Sequence, residues 1–89
     1  MTSNGTWNVV ASGDAQRRLC RIPPKDAERI LVAFRGMEAN PYGGDIEKLG
    51  GEENRWRRRV GAYRICYRLY PGEKTVLVTE VKRRGSHTY

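Results

Sequence analysis

The residues with the clearest capacity for chemistry are arginines spaced two apart. Arg55, Arg57 and Arg59 alternate through RWRRRV at 55–60, and Arg64 and Arg68 follow in AYRICYRLY at 62–70. Period two places Arg55, Arg57 and Arg59 on one face of a strand, opposite Trp56 and Val60. If that strand pairs with the next across Gly61, then Arg57, Arg59, Arg64 and Arg68 share its solvent side. The basic run Lys82, Arg83 and Arg84 is expected close by. Guanidinium groups match phosphate oxygens in planar, bidentate fashion, so this face is a candidate phosphate grip, with Arg55, Arg68 and Lys82 as flanking substrate contacts. Like charges crowded on one face repel, and a bound polyanion would relieve that repulsion. A guanidinium with a pKa above ~12 cannot act as a general base at neutral pH. Proton transfer needs another group, and His87 and the Tyr89 phenol are the nearby candidates.

The charge distribution points the same way. The 89 residues carry 17 Lys plus Arg against 10 acidic side chains, a formal net charge of +7. Residues 1–54 are nearly neutral, whereas residues 55–89 hold ten basic side chains against only Glu73 and Glu80. A polyanionic partner is the functional expectation, and a solvated basic surface the bland one. Two cysteines, Cys20 and Cys66, and one histidine fall short of the four ligands of a structural zinc site, so no metal is expected. The glycines of 41–54 lack the Gly-Lys-Ser/Thr of a nucleotide-binding loop and read as turns, so no cofactor is expected either. Neither a long apolar run nor signal-peptide character is present, so the expectation is a cytoplasmic protein with no membrane partner.

The elements that must position these residues follow from pattern. The chain, 1–89, is short enough for one domain with a thin core. Trp7 to Ala11 reads as a short strand. Ser12 is a plausible N-cap for a helix with Ala15, Leu19 and Ile22 inward, stopped by Pro23-Pro24. A second helix begins at Pro24, carries Ala27, Ile30, Leu31, Phe34 and Met37 as its apolar stripe, and ends at Asn40-Pro41. The tight connection predicts an αα-hairpin. Residues 41–54 form a long glycine-rich connection. Three antiparallel strands follow, 55–60, 62–70 and 75–81, with Tyr63, Ile65, Tyr67 and Leu69 on the core face of the middle one. Residues 82–89 are expected to lie as a tail across or beside the sheet.

Several phrases in this order resemble the RelE/ParE superfamily of type II toxin–antitoxin toxins. They are Ala15-x3-Leu19-x2-Ile22-Pro23, Asn40-Pro41 with Gly44-Asp45-Ile46-Glu47-Lys48-Leu49, Trp56-Arg57-x-Arg59-Val60-Gly61-x-Tyr63-Arg64-Ile65-x-Tyr67, and Val81-Lys82-Arg83-Arg84. The resemblance implies an α+β domain, two N-terminal helices packed on a curved antiparallel sheet of about four strands. Its RelE branch implies a ribosome-dependent mRNA endonuclease that leaves a 2′,3′-cyclic phosphate, with mRNA on the ribosome and 16S rRNA as contacts. Its ParE branch implies inhibition of DNA gyrase without nuclease activity. Both branches imply a cognate antitoxin. Under the first, Arg57 and Arg59 stand at basic positions that engage the scissile phosphate, and Arg64 at the position that stabilises charge on the phosphorane. Arg83 or Arg84 matches the tail arginine, and Tyr89 the terminal tyrosine. Arginine stands at both strand positions where a lysine pair can serve catalysis, which leaves the general base open, with His87 a candidate.

Overall fold

The computed structural model describes residues 7–50 and 54–83. In chain order the elements are β1 (Asn8–Ala11), α1 (Gly13–Arg21), α2 (Pro24–Ala39), β2 (Ile46–Lys48), β3 (Arg55–Val60), β4 (Tyr63–Tyr70), a 3-10 turn (Pro71–Glu73) and β5 (Thr75–Arg83). They build one five-stranded sheet in the order β1-β5-β4-β3-β2. The α+β architecture is as expected, and the strand count and polarity are not. β1 pairs with β5 in parallel, so the sheet is mixed. Residues 46–48, expected as part of a loop, add a short edge strand antiparallel to β3. β3 is therefore an inner strand. β5 also runs further than 75–81, so Lys82 and Arg83 belong to the sheet, opposite Arg64 and Tyr63, and not to a tail.

Local chemistry explains the helices. The Ser12 hydroxyl accepts from the Ala15 amide at 3.2 Å, Asp14 sits in the first turn of α1, and Arg18 and Arg21 sit in its last. Each complements the helix dipole, and the cap satisfies one of the four unpaired amides. Ile22 and Pro23 separate α1 from α2, which takes Pro24 where its missing N–H costs nothing. α2 buries Ile30, Ala33 and Met37 against the sheet. Leu31, expected inward, is 48% exposed because it lies about 100° around the helix from Ile30.

The sheet's inner face supplies Tyr63, Ile65, Tyr67 and Leu69 from β4 and Val76, Val78 and Val81 from β5. Each fully buried aliphatic side chain contributes about 1.5–3 kcal/mol. One irregularity matters for function. Cys66 opposes Glu80 while Tyr67 opposes Val78, so Thr79 is an extra residue in β5. Its hydroxyl donates to the Cys66 carbonyl at 3.3 Å, and its own carbonyl accepts from the Ser12 hydroxyl at 3.3 Å. Such a bulge reverses the in–out alternation downstream of it. At one end of the core the Tyr67 hydroxyl donates to the Pro41 carbonyl at 3.0 Å, and burial pushes the phenol up to about 12. Beside it Tyr42 makes edge contacts with Trp7 and Trp56, at ring separations of 6.1 and 5.7 Å. Among the described residues no helix is long and apolar enough to cross a membrane.

Candidate functional site

The face of the sheet away from the helices is built in rows that cross the strands. Register places Arg59 opposite Arg64 and Arg64 opposite Lys82, a fully cationic row over three strands. The next row runs Glu47, Arg57, Cys66 and Glu80. The third pairs Arg55 with Arg68, followed by Leu77. Directly opposite residues hold their Cβ atoms about 4.5–5.5 Å apart, so Arg59 and Arg64 are close enough to grip one phosphate together. The structure thus brings Arg55, Arg57, Arg59, Arg64, Arg68 and Lys82 onto one face.

Carboxylates that the sequence reading passed over hold part of this charge in place. Arg57 pairs with Glu47, the Arg59 Nε lies 4.0 Å from Asp45 Oδ2, and Lys82 Nζ lies 3.4 Å from Glu80 Oε2. Asp45 and Glu47 come from the 41–54 connection, Asp45 just before β2 and Glu47 within it. Their signal was charge complementary to β3, legible only once β2 was known to pair there. Among the described residues no carboxylate pairs with Arg55, Arg64 or Arg68. These exposed pairs are weak, about 0–1 kcal/mol each, so a polyphosphate can displace them.

Cys66 stands mid-face. Burial first, and then the Glu80 carboxylate, push its thiol up, while Lys82 and Arg57 pull it down. It is a protonated neighbour to the arginines and not a nucleophile. Arg83 is set apart. Because of the bulge at Thr79 it stands opposite Tyr63, on the side of the sheet that the helices cover. Its charge and that of Arg18 reach the Tyr63 phenol, which donates to Asp26 Oδ2 at 3.0 Å. Burial first, and then Asp26, push that phenol up. Arg84, His87 and Tyr89 lie outside the described residues. A further basic group escaped the strand reading. Arg17, Arg18 and Arg21 share one face of α1, and Arg18 lines a shallow depression with Glu80 and Lys82. Their three- and four-residue spacing was the available signal. The site is therefore a strongly cationic open face, and among the described residues no cluster of His, Cys, Asp or Glu could hold a metal ion.

Two helices on a five-stranded sheet whose uncovered face is lined with arginine are an arrangement that solved toxin structures share. A RelE–RelB complex from Pyrococcus horikoshii matches with a TM-score of 0.81 and 26% identity, covering 91% of this chain and 98% of that one. The toxin–antitoxin complex RelBE2 from Mycobacterium tuberculosis matches with a TM-score of 0.78 and 26% identity, over 89% and 99%. The isolated RelE toxin of E. coli shares the fold, with a TM-score of 0.75 at 13% identity over 88% and 84%. No family model and no curated protein matches the sequence. The chain is a member of the RelE-like toxin superfamily.

Proposed function

We propose that this chain is the toxin of a type II toxin–antitoxin pair and acts as a ribosome-dependent mRNA endonuclease. The observation that carries the reading is the row Arg59, Arg64 and Lys82, set beside Arg57 on an open face where the cleft between Arg57, Arg59 and Arg64 has a volume of only about 20 Å³. Such a face suits a polymer presented by a larger machine. In the proposed reaction the ribose 2′-oxygen attacks the adjacent phosphorus and the bond from phosphorus to the 5′-oxygen breaks. The products are a 2′,3′-cyclic phosphate and a 5′-hydroxyl. Arg57, Arg59 and Arg64 stabilise the extra negative charge on the phosphorane, a role worth about 10²–10³ in rate for one well-placed donor. One proton leaves the 2′-hydroxyl and one must reach the 5′-oxygen. His87, Tyr89 and the tail arginine, Arg84 or Arg83, are assigned to this part of the reaction from the sequence.

Primer extension on mRNA from cells expressing the chain tests the proposal. Cleavage within codons is expected, together with arrest of translation and rescue by a cognate antitoxin. Intact transcripts alongside normal translation would exclude it. Inhibition of DNA supercoiling with intact mRNA would favour the gyrase-directed branch.

A further inference from the structure

A row of aromatic rings closes the end of the sheet where β3 begins, on the helix side, since Trp56 stands opposite the core residue Tyr67. Tyr42 lies between Trp7 and Trp56, with ring centres 6.1 and 5.7 Å away, and is nearly perpendicular to both. Each indole carries a cation. Lys74 Nζ lies 5.8 Å from the centre of the Trp7 ring and Lys48 Nζ 5.9 Å from that of Trp56, within reach of a cation–π contact. Among the described residues no carboxylate pairs with either lysine. The order is Lys74, Trp7, Tyr42, Trp56, Lys48: three rings with a cation at each end.

Packing explains the two indoles, which lie half-buried against the core, and does not explain the rest. Tyr42 is 47% exposed. Its amide donates to Asn40 Oδ1 at 3.0 Å, which fixes the backbone that carries the ring. Lys74 is the second sign. Among the described residues it alone has a positive φ without being glycine, at φ 52° and ψ 47°. Glycine would sit there at lower cost, because a Cβ crowds the backbone in the left-handed region. The turn itself uses only main-chain groups of Lys74. Its amide donates to the Pro71 carbonyl at 3.1 Å, and its carbonyl accepts from the Asn8 amide at 2.8 Å. What the lysine side chain adds is the cation over Trp7. At the other end of the row Lys48 finishes β2 opposite Trp56, at the same end of the sheet as the Arg55–Arg68 pair of the open face.

We infer that this ring row is a second binding site, for a nucleobase of a single-stranded nucleic acid, with Lys48 and Lys74 taking the phosphates on either side of it. The exposed Tyr42 ring offers a stacking surface, and every base has a flat face to lay on it. A cationic ligand is disfavoured, because the two lysines already lie over the indoles. An acidic peptide would answer the lysines and leave the Tyr42 ring without a planar partner. A duplex is disfavoured as well, since its bases already stack on one another. The strand reaches the row from the open face by rounding the end of the sheet at Arg55 and Arg68. Bases beyond the one held over Arg57, Arg59 and Arg64 are therefore the ones that stack. That the strand is mRNA rests on the nuclease reading above, whereas the rings and lysines themselves call only for a base between phosphates.

The chain's two tryptophans both belong to this row, so indole fluorescence of the full chain reports on it directly. The probe is a 2′-O-methyl oligoadenylate, which has no free 2′-hydroxyl and cannot be cut, beside an abasic strand of equal length. The expected result is quenching by the oligoadenylate that persists in Trp56→Phe, where Trp7 is the remaining indole. Tyr42→Ala should weaken binding about tenfold, about 1.4 kcal/mol, and Tyr42→Phe should not. Lys74→Gly should keep or raise thermal stability, because its backbone conformation suits glycine. The same variant should weaken binding and make the salt dependence shallower by roughly 0.7 in the log–log slope. The inference is overturned if the abasic strand binds as tightly, if Trp7 emission does not change, or if Lys74→Gly binds as the native chain does. It is also overturned if a glutamate-rich peptide without aromatic residues quenches as well as the oligoadenylate. mRNA cleavage is scored separately. A chain that is quenched but cuts nothing keeps the base site and loses the nuclease reading, and one that cuts mRNA without quenching does the reverse.

Discussion

The two faces of the sheet divide the labour of the molecule. Along β4, Tyr63, Ile65, Tyr67 and Leu69 are buried under the helices, while Arg64, Cys66, Arg68 and Tyr70 alternate with them on the open side. One strand thus contributes to stability with every second residue and presents Arg64 and Arg68 to the open face with two of those between. The inner face tolerates little change, because close packing makes each missing methylene felt. The outer face holds cations whose exposed ion pairs favour folding little. A site on a rigid strand also keeps its geometry without a substrate present, which is what charge stabilisation in a transition state needs.

Substitutions can break this comparison or sharpen it. The largest effect on stability is expected at Ile65, which is fully buried. Ile65→Ala should cost about 2–5 kcal/mol in urea unfolding, enough to abolish most of the stability of a small domain. Its neighbour on the other face should behave in the opposite way. Arg64→Ala should lower mRNA cleavage about 10²–10³-fold, while the urea midpoint changes by no more than ~0.5 kcal/mol equivalent. A loss of stability there comparable to that of Ile65→Ala would mean that the faces are not separable.

The next effect is one of pH and belongs to the inner face. Tyr67 has its phenol pushed from 10.0 up to about 12 by burial, so the folded chain favours the protonated form. That stabilisation is complete below pH 10 and is lost as pH rises from about 10 to 12, on the order of 2–3 kcal/mol. Urea midpoints across this window should fall, and Tyr67→Phe should flatten the slope. The smallest effect is on the outer face. Glu47→Gln removes the partner of Arg57. It should tighten binding of a single-stranded RNA a few-fold, within the ~0–1 kcal/mol of an exposed pair, with the gain shrinking as salt rises.

Much of this division was legible in the sequence, for a physical reason. The alternation in 62–70 and the short turn at Gly61 set both the faces and the pairing, so parity alone put Arg55, Arg57 and Arg59 with Arg64 and Arg68. Other parts depend on contacts between distant residues. Ile46 to Lys48 have no strand pattern of their own and are ordered by pairing with Trp56 to Arg58. The parallel union of Asn8 to Ala11 with Thr75 to Val78 joins opposite ends of the chain and has no local signature. The single extra residue at Thr79 was equally invisible. Simple counting would have left Arg83 with the arginine row, whereas the bulge turns it to the side of Tyr63.

The central claim is that the open arginine face cuts mRNA on the ribosome. The most direct measurement is to mix the purified chain with ribosomes stalled on a defined mRNA and examine the ends of the products. The account predicts cleavage in the decoding site that requires the ribosome, yields a 2′,3′-cyclic phosphate and is lost in Arg64→Ala. Intact mRNA on the stalled ribosome, or equal cutting by Arg64→Ala, would contradict it.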